Sequence, residues 1–530
     1  MIRKEIIKLI EKSIKNLQEE NELPAFEIQD ILVEKPENKD YGDYSINIAM
    51  QIAKLSKRNP MEIATLIKSR IGSLKSKVFD EVKIAEPGFI NFFLSKEYLQ
   101  EQIRDILRQG EIYGQLDIGK NKKVQVEFIS ANPTGPLTVG NARGGVFGDV
   151  LANILKWAGF KVEKAYYIND YGMQILTLGH SVLKDEKAEY KGEYIDYLNK
   201  KIKEKDPYKT GQKAAKIIID EMIKKTTERM GIKYDEWFLE SELHEKGKVD
   251  EIIERLERKD LTYKKDGAVW FKSTALGDAR DRVLIKADGW KTYLAGDIAY
   301  HKYKFEDKKF DKVIDVWGAD HLDDKLSLLA GVDALGHDKD KLMIPLLQFV
   351  TIFEKNEKLK MSKRAGIYVT MDELLDKVGK DVVRFFFLTK SANTHLNFDL
   401  SLAKERSEKN PVYYVQYAHA RICSILNKAL KYKPENMDYK LLKHPSELEL
   451  IKQLIRFPEV IEDTARDYQI QRIPKYAVDL ATVFNQFYRD CRVLDEKESL
   501  KKARLSLVLV AKQVLKNTLD LMGISAPEKM

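Results

Sequence analysis

Apolar residues recur at helical spacing from the start of the chain: Ile2, Ile6, Ile10, Ile14 and Leu17 stand between lysines and glutamates. That spacing lines one face of an amphipathic helix packed on a core. The pattern continues through the turn Asp40-Tyr-Gly-Asp43 to a strand-like end, Gly88-Phe-Ile-Asn-Phe-Phe-Leu94. The segment Gln109-Gly-Glu-Ile-Tyr-Gly114 marks a boundary. Beyond it the pattern changes. Val124-Gln-Val-Glu-Phe-Ile129 reads as a buried strand, followed by a Gly/Pro loop and a helix starting near Ala142. Residues 162–168 form a second strand leading into Asn169-Asp-Tyr-Gly172. Residues 313–317 form a third, leading into Gly318-Ala-Asp-His321, and residues 346–353 a fourth.

Strands alternating with helices predict right-handed crossovers and a parallel, doubly wound α/β sheet. Ligands of such sheets sit beyond the carboxyl ends of the strands, where the polar loops just named fall. The stretch between the second and third strands far exceeds one crossover helix, so residues from roughly 175 to 275 are expected to hold an inserted, charged helical subdomain. After about residue 400 the spacing turns helical to the end of the chain. The expected domains are therefore 1–108, 109–400 and 401–530.

Composition narrows the picture. The chain has 530 residues, 44% apolar and 33% charged, as in soluble globular proteins, and no apolar run approaches the ~20 residues that span a bilayer. Net charge is +8. Residues 401–530 hold 23 Lys/Arg against 17 Asp/Glu, which suits a polyanionic partner such as RNA or simply reflects a lysine-rich style. Cys423 and Cys491 are too few for a disulfide framework, which points to a reducing, cytoplasmic setting.

Several motifs carry candidate chemistry. Gly114-Gln-Leu-Asp-Ile-Gly-Lys-Asn121 imitates a phosphate-binding loop, but it precedes a strand and ends in Asn121 where Ser or Thr would bind magnesium. Asp320-His321-Leu-Asp323-Asp324 offers metal ligands that cannot all point one way on a helix, so no metal site is expected. In Asn132-Pro-Thr-Gly-Pro-Leu-Thr-Val-Gly-Asn141, Pro133 and Pro136 stiffen the turn, while Gly135 and Gly140 remove side chains. Such a loop lets a purine approach the backbone, with the following helix N-terminus offering N–H groups to phosphates; alone, it reads better as a structural turn. Lys360-Met-Ser-Lys-Arg364 supplies mobile cations for a leaving pyrophosphate, or is a solvated basic loop.

Together and in this order, the two loops resemble the signature loops of class I aminoacyl-tRNA synthetases. The resemblance extends to the arginyl-tRNA synthetase family through Gly42-Asp-Tyr-Ser-Ile-Asn47, Glu86-Pro-Gly-Phe-Ile-Asn91, Ser130-Ala-Asn-Pro133, Ile168-Asn-Asp-Tyr-Gly-Met-Gln174, Asp297-Ile-Ala-Tyr-His301, Trp317-Gly-Ala-Asp-His321 and Asn410-Pro-Val-Tyr-Tyr-Val-Gln-Tyr-Ala-His419. It implies a Rossmann-type catalytic domain with an insertion, an α+β N-terminal appended domain contacting tRNA, and an all-α anticodon-binding domain. It also implies activation of L-arginine by ATP with Mg²⁺, transfer to tRNA(Arg), tRNA bound before the first step, no editing site and a monomeric protein.

Site residues follow by the same resemblance. Glu127, Ser130 and Asn132 would meet the amino-acid end of arginine, Tyr293, Asp297 and Glu240 its guanidinium, and His321 a further substrate position. Pro133, Gly135, Thr138, Gly140, Asn141, Met361, Ser362 and Lys363 would bind ATP; Thr138, Gly140, Asn141, Lys360 and Lys363 would act in catalysis; Tyr417 and Met530 fall in regions similar to the tRNA-binding helical domain. One departure stands out. Thr138 and Asn141 occupy places that usually carry histidines, so neutral donors replace possible cations and activation should be slower.

Overall fold

The computed structural model describes residues 1–27, 30–74, 76–355, 357–358, 370–429 and 437–530. Strand β1 (Lys123–Glu127) leads to helix α1 (Val139–Trp157), then to β2 (Lys161–Ile168), β3 (Glu236–Leu239) and the short helix α2 (Glu240–Glu245). Helix α3 (Tyr293–Lys302), β4 (Lys312–Asp315) and β5 (Leu342–Met343) follow. Among the described residues these strands pair in the order β5-β4-β1-β2-β3, all parallel. The order reverses between β1 and β4, and the carboxyl-end crevice beside such a reversal is the usual ligand site.

Side chains alternate across the pleat. Val124, Val126, Tyr166 and Ile314 join one core cluster with α1, whereas Tyr167, Phe238 and Val313 join a second with α3. Gln125, Glu127, Glu163, Glu236 and Asp315 are polar positions of the sheet. They are answered from α3 and the π-helical turn that continues it (Tyr303–Asp307): Tyr303 Oη donates to Glu236 at 2.9 Å and Lys308 Nζ to Glu163 at 3.0 Å.

Two features differ from the sequence pattern. Residues 346–353 do not supply the next strand of this sheet; Leu342–Met343 does. Pro345 has no N–H to continue a ladder. Beyond it Leu346–Leu347 pairs with Trp317–Gly318, and Val350–Glu354 pairs with Leu396–Asp399 in a separate small sheet. The second feature is β3, which lies inside the stretch patterned as an insertion yet belongs to the central sheet. Its four residues, Glu-Trp-Phe-Leu, are too short to show a period.

The first hundred residues fold as an antiparallel sheet with helices Ile2–Glu19, Ile48–Ser56 and Pro60–Ser73. The buried positions of the opening helix are the predicted isoleucines, with Leu17 and Ser13. The last hundred and thirty form a helical bundle from Pro411–Lys428 to Glu498–Leu521. The two ends meet: Tyr44 Oη donates to Glu459 Oε2 at 3.0 Å, and Arg3 pairs with Asp463 at 2.6 Å.

A single arginine ties bundle, insertion and sheet together. Arg384 is fully buried and donates to Met522 O at 2.6 Å, to Met230 O at 3.0 Å, and to Asp149 of α1. Lys164 of β2 gives Asp149 a second cation at 2.6 Å. Gly523 (φ +65°) closes the helix end where a Cβ would stand 2.5 Å from the guanidinium. Removing one member of a buried ion pair costs about 3 kcal/mol or more. Arg384→Leu should therefore lower the melting temperature clearly by calorimetry, while Lys475→Ala, which breaks an exposed pair, should leave it within a degree.

Candidate functional site

Glu127 ends β1 and Asp315 ends β4, and the two are register partners on adjacent parallel strands. Side by side, two carboxylates repel. Lys304 resolves this from the π-helical turn: its ammonium is fully buried, 2.6 Å from Glu127 Oε2 and 2.8 Å from Asp315 Oδ1, above the Tyr300 ring at 4.3 Å. Ser130 donates from Oγ to the other Glu127 oxygen at 2.9 Å and accepts from Tyr167 N at 3.0 Å. His301 Nε2 meets Asp315 Oδ2 at 2.8 Å, and its Nδ1 meets the carbonyl of Asp297 at 2.7 Å.

One face of α3 thus presents Tyr293, Asp297, His301 and then Lys304, running from the exposed Tyr293 to the sealed ammonium. Opposite it, α2 presents Glu240. Gly296 permits this approach, because a Cβ there would lie 2.8 Å from Glu240 Oε1. Glu240 is buried and its Oε2 has no hydrogen-bond partner among the described residues, nor has either nitrogen of His244, whose Nε2 lies 3.5 Å from Glu240 Oε1. His244 stacks on Tyr171 with ring centroids 3.7 Å apart.

Glu127, Asp297 and Asp315 share Lys304, whereas Glu240 is pushed by burial and Asp170, and the imbalance appears in their ionisation. Burial pushes the Glu240 carboxyl up to about 8, with the nearby Asp170 adding to the rise. Burial also holds Asp297 well above the usual carboxylate range, reinforced by Glu240 and Glu127. Burial raises Glu127 too, against the pull of Lys304. Asp315 is the exception: burial favours its neutral form, but Lys304 and His301 outweigh this and hold it at about 2. The pocket lacks positive charge on the Glu240–Asp297 side. A cation that entered there would satisfy an orphaned carboxylate oxygen, whose isolation otherwise costs ~1–3 kcal/mol or more.

Between β1 and α1 the Gly/Pro loop passes beside this pocket. Ile129 and Ser130 take positive φ, 68° and 37°, which lets the chain turn sharply after the strand. A Cβ added at Gly135 would stand 3.2 Å from the Tyr194 ring, and Pro133 is buried. Gly140, by contrast, is exposed, with only Thr138 Oγ1 within 4 Å of a built Cβ, at 3.7 Å. Nothing in the described chain demands a glycine there, so the open space suits a ligand. Thr138 caps α1, and Asn141 Oδ1 accepts from Thr138 N at 3.2 Å and from Thr138 Oγ1 at 2.8 Å. The two residues standing where histidines are usual are thus bound to each other, and the Asn141 amide N–H groups make no hydrogen bond among the described residues.

The structure brings together Glu127, Ser130, Glu240, Tyr293 and Asp297. Asn132 is exposed at the loop's start and makes no recorded side-chain hydrogen bond among the described residues. His321 is exposed beyond β4 and pairs with Asp324 at 2.9 Å rather than with the pocket. Lys360, Met361, Ser362 and Lys363 lie outside the described residues. Tyr417 is in the helical bundle, stacked on Tyr413 at 6.0 Å with Arg421 over its ring at 4.8 Å; Met530 is exposed at the chain's end. Sequence reading missed Lys304, Asp315, His301 and His244. The spacing Tyr293, Asp297, His301 is a helical i, i+4 stripe and could have flagged His301. Lys304 follows His301 at i+3 and so continues the same stripe, which could have flagged it as well.

Comparison with known proteins covers nearly the whole chain. The model described as "Arginyl tRNA synthetase N terminal domain" matches residues 4–94. That for "tRNA synthetases class I (R), catalytic domain" matches 102–195 and 181–390, and "DALR anticodon binding domain" matches 415–530. An arginine–tRNA ligase of Caldanaerobacter subterraneus subsp. tengcongensis is 43% identical over 555 residues, spanning 100% of this chain and 99% of that one. The Bacillus subtilis arginine–tRNA ligase is 42% identical over 540 residues, with 97% and 96% covered. In fold, the Thermus thermophilus arginyl-tRNA synthetase superposes with a TM-score of 0.79 at 22% identity, covering 100% of both chains.

The raised carboxyls set a pH dependence. A guanidinium placed between Glu240 and Asp297 would favour their ionised forms and so expel protons below about pH 8. Arginine affinity should rise from pH 6.5 to 8.5, and calorimetry in buffers of differing ionisation enthalpy should show proton release near pH 7.5. Proton uptake, or affinity that falls with pH, would contradict the pocket electrostatics.

Proposed function

The chain belongs to the arginyl-tRNA synthetase family and has the activity of an arginine–tRNA ligase; from that premise we propose how its residues divide the work. The carboxylate surplus between α2 and α3 carries the reading. Asp297 and Glu240 accept the forked N–H groups of the guanidinium, with Tyr293 at the pocket's mouth. Glu127, steadied by Ser130, faces the α-ammonium together with Asn132. His321, at the start of the helix Leu322–Ala334, meets a further part of the substrate. A site built to hydrogen-bond a charged fork rejects analogues lacking it by factors of ~10⁴–10⁵, so no editing step is needed.

ATP lies along the loop from Pro133 to Asn141. Gly135 and Gly140 admit the nucleotide, and the N-terminus of α1 offers its N–H groups to phosphates. The amide N–H groups of Asn141 donate neutral hydrogen bonds and Thr138 joins them by turning its hydroxyl away from Asn141, while Met361 and Ser362 meet the nucleotide and Lys360 and Lys363 the charge that builds on pyrophosphate. Mg²⁺ arrives with the nucleotide, whose phosphate oxygens suit it. An arginine carboxylate oxygen attacks the α-phosphorus, the bond to the β-phosphate oxygen breaks and pyrophosphate leaves. A ribose hydroxyl of the terminal adenosine then attacks the carbonyl carbon, and AMP departs.

The partner is tRNA(Arg). Residues 1–108 touch its outer corner, 109–400 hold the chemistry with the insertion at roughly 175–275, and 401–530 take the anticodon arm, with Tyr417 and the end of the chain at Met530 in that surface. Stacked tyrosines beside Arg421 suit unpaired bases. The protein works as a monomer in the cytoplasm, a setting in keeping with Cys423 and Cys491, both buried and unpaired.

Charging of total tRNA with radiolabelled arginine tests this. Wild type is expected to charge robustly, and Thr138→His/Asn141→His to change the activation rate without changing the KM for arginine. No charging by wild type with recovery in the double variant would instead mean a tRNA-binding relative that lost its ATP chemistry. Asp297→Ala should abolish charging and leave tRNA affinity within severalfold in a filter-binding assay. Charging at the wild-type rate would overturn the pocket assignment.

A further inference from the structure

The geometry around the β1–β4 reversal points to a residue that the reaction needs but the substrate never touches. We propose that Lys304 is a positioning residue for the amino acid: pinned between Glu127 and Asp315, it fixes the carboxylate offered to the α-ammonium and couples it to the helix that offers Asp297 to the guanidinium. This rests on the roles proposed above for Glu127 and Asp297.

Several observations carry it. Among the described residues Lys304 is the one lysine that is buried, and burying an ammonium is costly unless it is paired and hydrogen-bonded. A core needing only to be filled would place an apolar side chain there. Lys304 also sits at a specific break in the backbone: α3 ends at Lys302 and the chain continues as a π-helical turn over Tyr303–Asp307. Such turns re-aim one side chain and recur at functional sites. The ammonium reaches the last residues of two neighbouring strands, at the point where the strand order reverses. Its partners lead outward in both directions. Glu127 continues to Ser130 and the Gly/Pro loop, and Asp315 continues through His301 to the backbone of Asp297.

The groups facing Lys304 and its partners come from every packed element: Glu127 from β1, Asp315 from β4, Tyr300, His301 and Asp297 from α3, Tyr167 from β2 and Glu240 from α2. Lys304 is the positive charge common to Glu127 and Asp297, and in both it opposes the upward push of burial. Asp315 acts in the opposite sense on both. Removing the lysine therefore leaves the two substrate-facing carboxyls harder to ionise, and removing Asp315 makes them easier to ionise.

The test is tRNA-dependent pyrophosphate exchange between pH 6.5 and 9 with wild type, Lys304→Met, Lys304→Arg and Asp315→Asn, after thermal melts establish folding. Lys304→Met should raise the KM for arginine at least tenfold with the KM for ATP within twofold, and move the pH midpoint of arginine KM upward by half a unit or more. Asp315→Asn should move that midpoint downward, and Lys304→Arg should restore the arginine KM to within about fivefold of wild type. A filler role would lower melting temperatures without opposed midpoint shifts, and a folded Lys304→Met with unchanged arginine KM and midpoint overturns the proposal. If the variants do not fold, wild type decides. Arginine and 5-guanidinopentanoate, which lacks the α-amino group, should release equal numbers of protons on binding if, as proposed, Lys304 holds Glu127 as a carboxylate. An extra proton for arginine overturns it. Failure of wild type to charge arginine would sink the functional reading itself, whereas normal charging by Lys304→Met sinks only this inference.

Discussion

Two carboxylates at the ends of adjacent parallel strands cannot lie side by side without a counter-charge between them. Glu127 and Asp315 are such a pair, and the Lys304 ammonium 2.6 and 2.8 Å away makes the arrangement possible. The attraction is strong because water is excluded, and for the same reason its loss would be severe. Much of the catalytic core hangs from this contact. It joins β1, β4 and the turn after α3, it orients the carboxylate beside the Gly/Pro loop, and through His301 it sets the register of the helix bearing Asp297.

The rest of the pocket is deliberately out of balance. Glu240 faces the site with an orphaned oxygen and a carboxyl pushed up to about 8. A carboxyl whose folded value lies above its unfolded one, near ~4.3, adds stability at low pH and loses it as pH rises through the folded value. The pocket by itself is thus least stable once pH passes that value, the range in which the two cationic groups of arginine are most strongly held. Stability is given up locally so that charge recognises charge, and the buried Arg384–Asp149–Lys164 cluster, whose cations outweigh burial and keep the Asp149 carboxyl low, supplies rigidity elsewhere.

Much of this was legible in the sequence, for identifiable reasons. The opening helix was readable because Ile2, Ile6, Ile10 and Ile14 are all buried at one spacing, and β1 and β2 because their buried runs are long. The misplaced strand at 346–353 came from following the longer apolar run after Pro345 rather than the two residues before it that pair with β4, and β3 was too short to show a period. In the site, Glu127, Tyr293, Asp297 and Glu240 were legible only through family resemblance, since no local pattern joins residues so far apart. Lys304 belongs to none of the motifs read, and although it continues the Tyr293, Asp297, His301 stripe at i+3, nothing local shows that it is buried between partners 11 and 177 positions away. The reciprocal bond between Thr138 and Asn141 was equally hidden, because the sequence shows two missing histidines but not that their replacements cap the helix together.

Recognition by charge, rather than by shape, is the central claim, and citrulline tests it most directly because it matches arginine in shape while replacing the cationic guanidinium with a neutral urea. Pyrophosphate exchange would be measured for the two amino acids at saturating ATP and tRNA. The account predicts that kcat/KM for citrulline falls below that for arginine by a factor of ~10⁴ or more, the scale expected when buried charged partners are left unpaired. Discrimination of less than about a hundredfold, the scale of a pocket that senses only bulk, would contradict it.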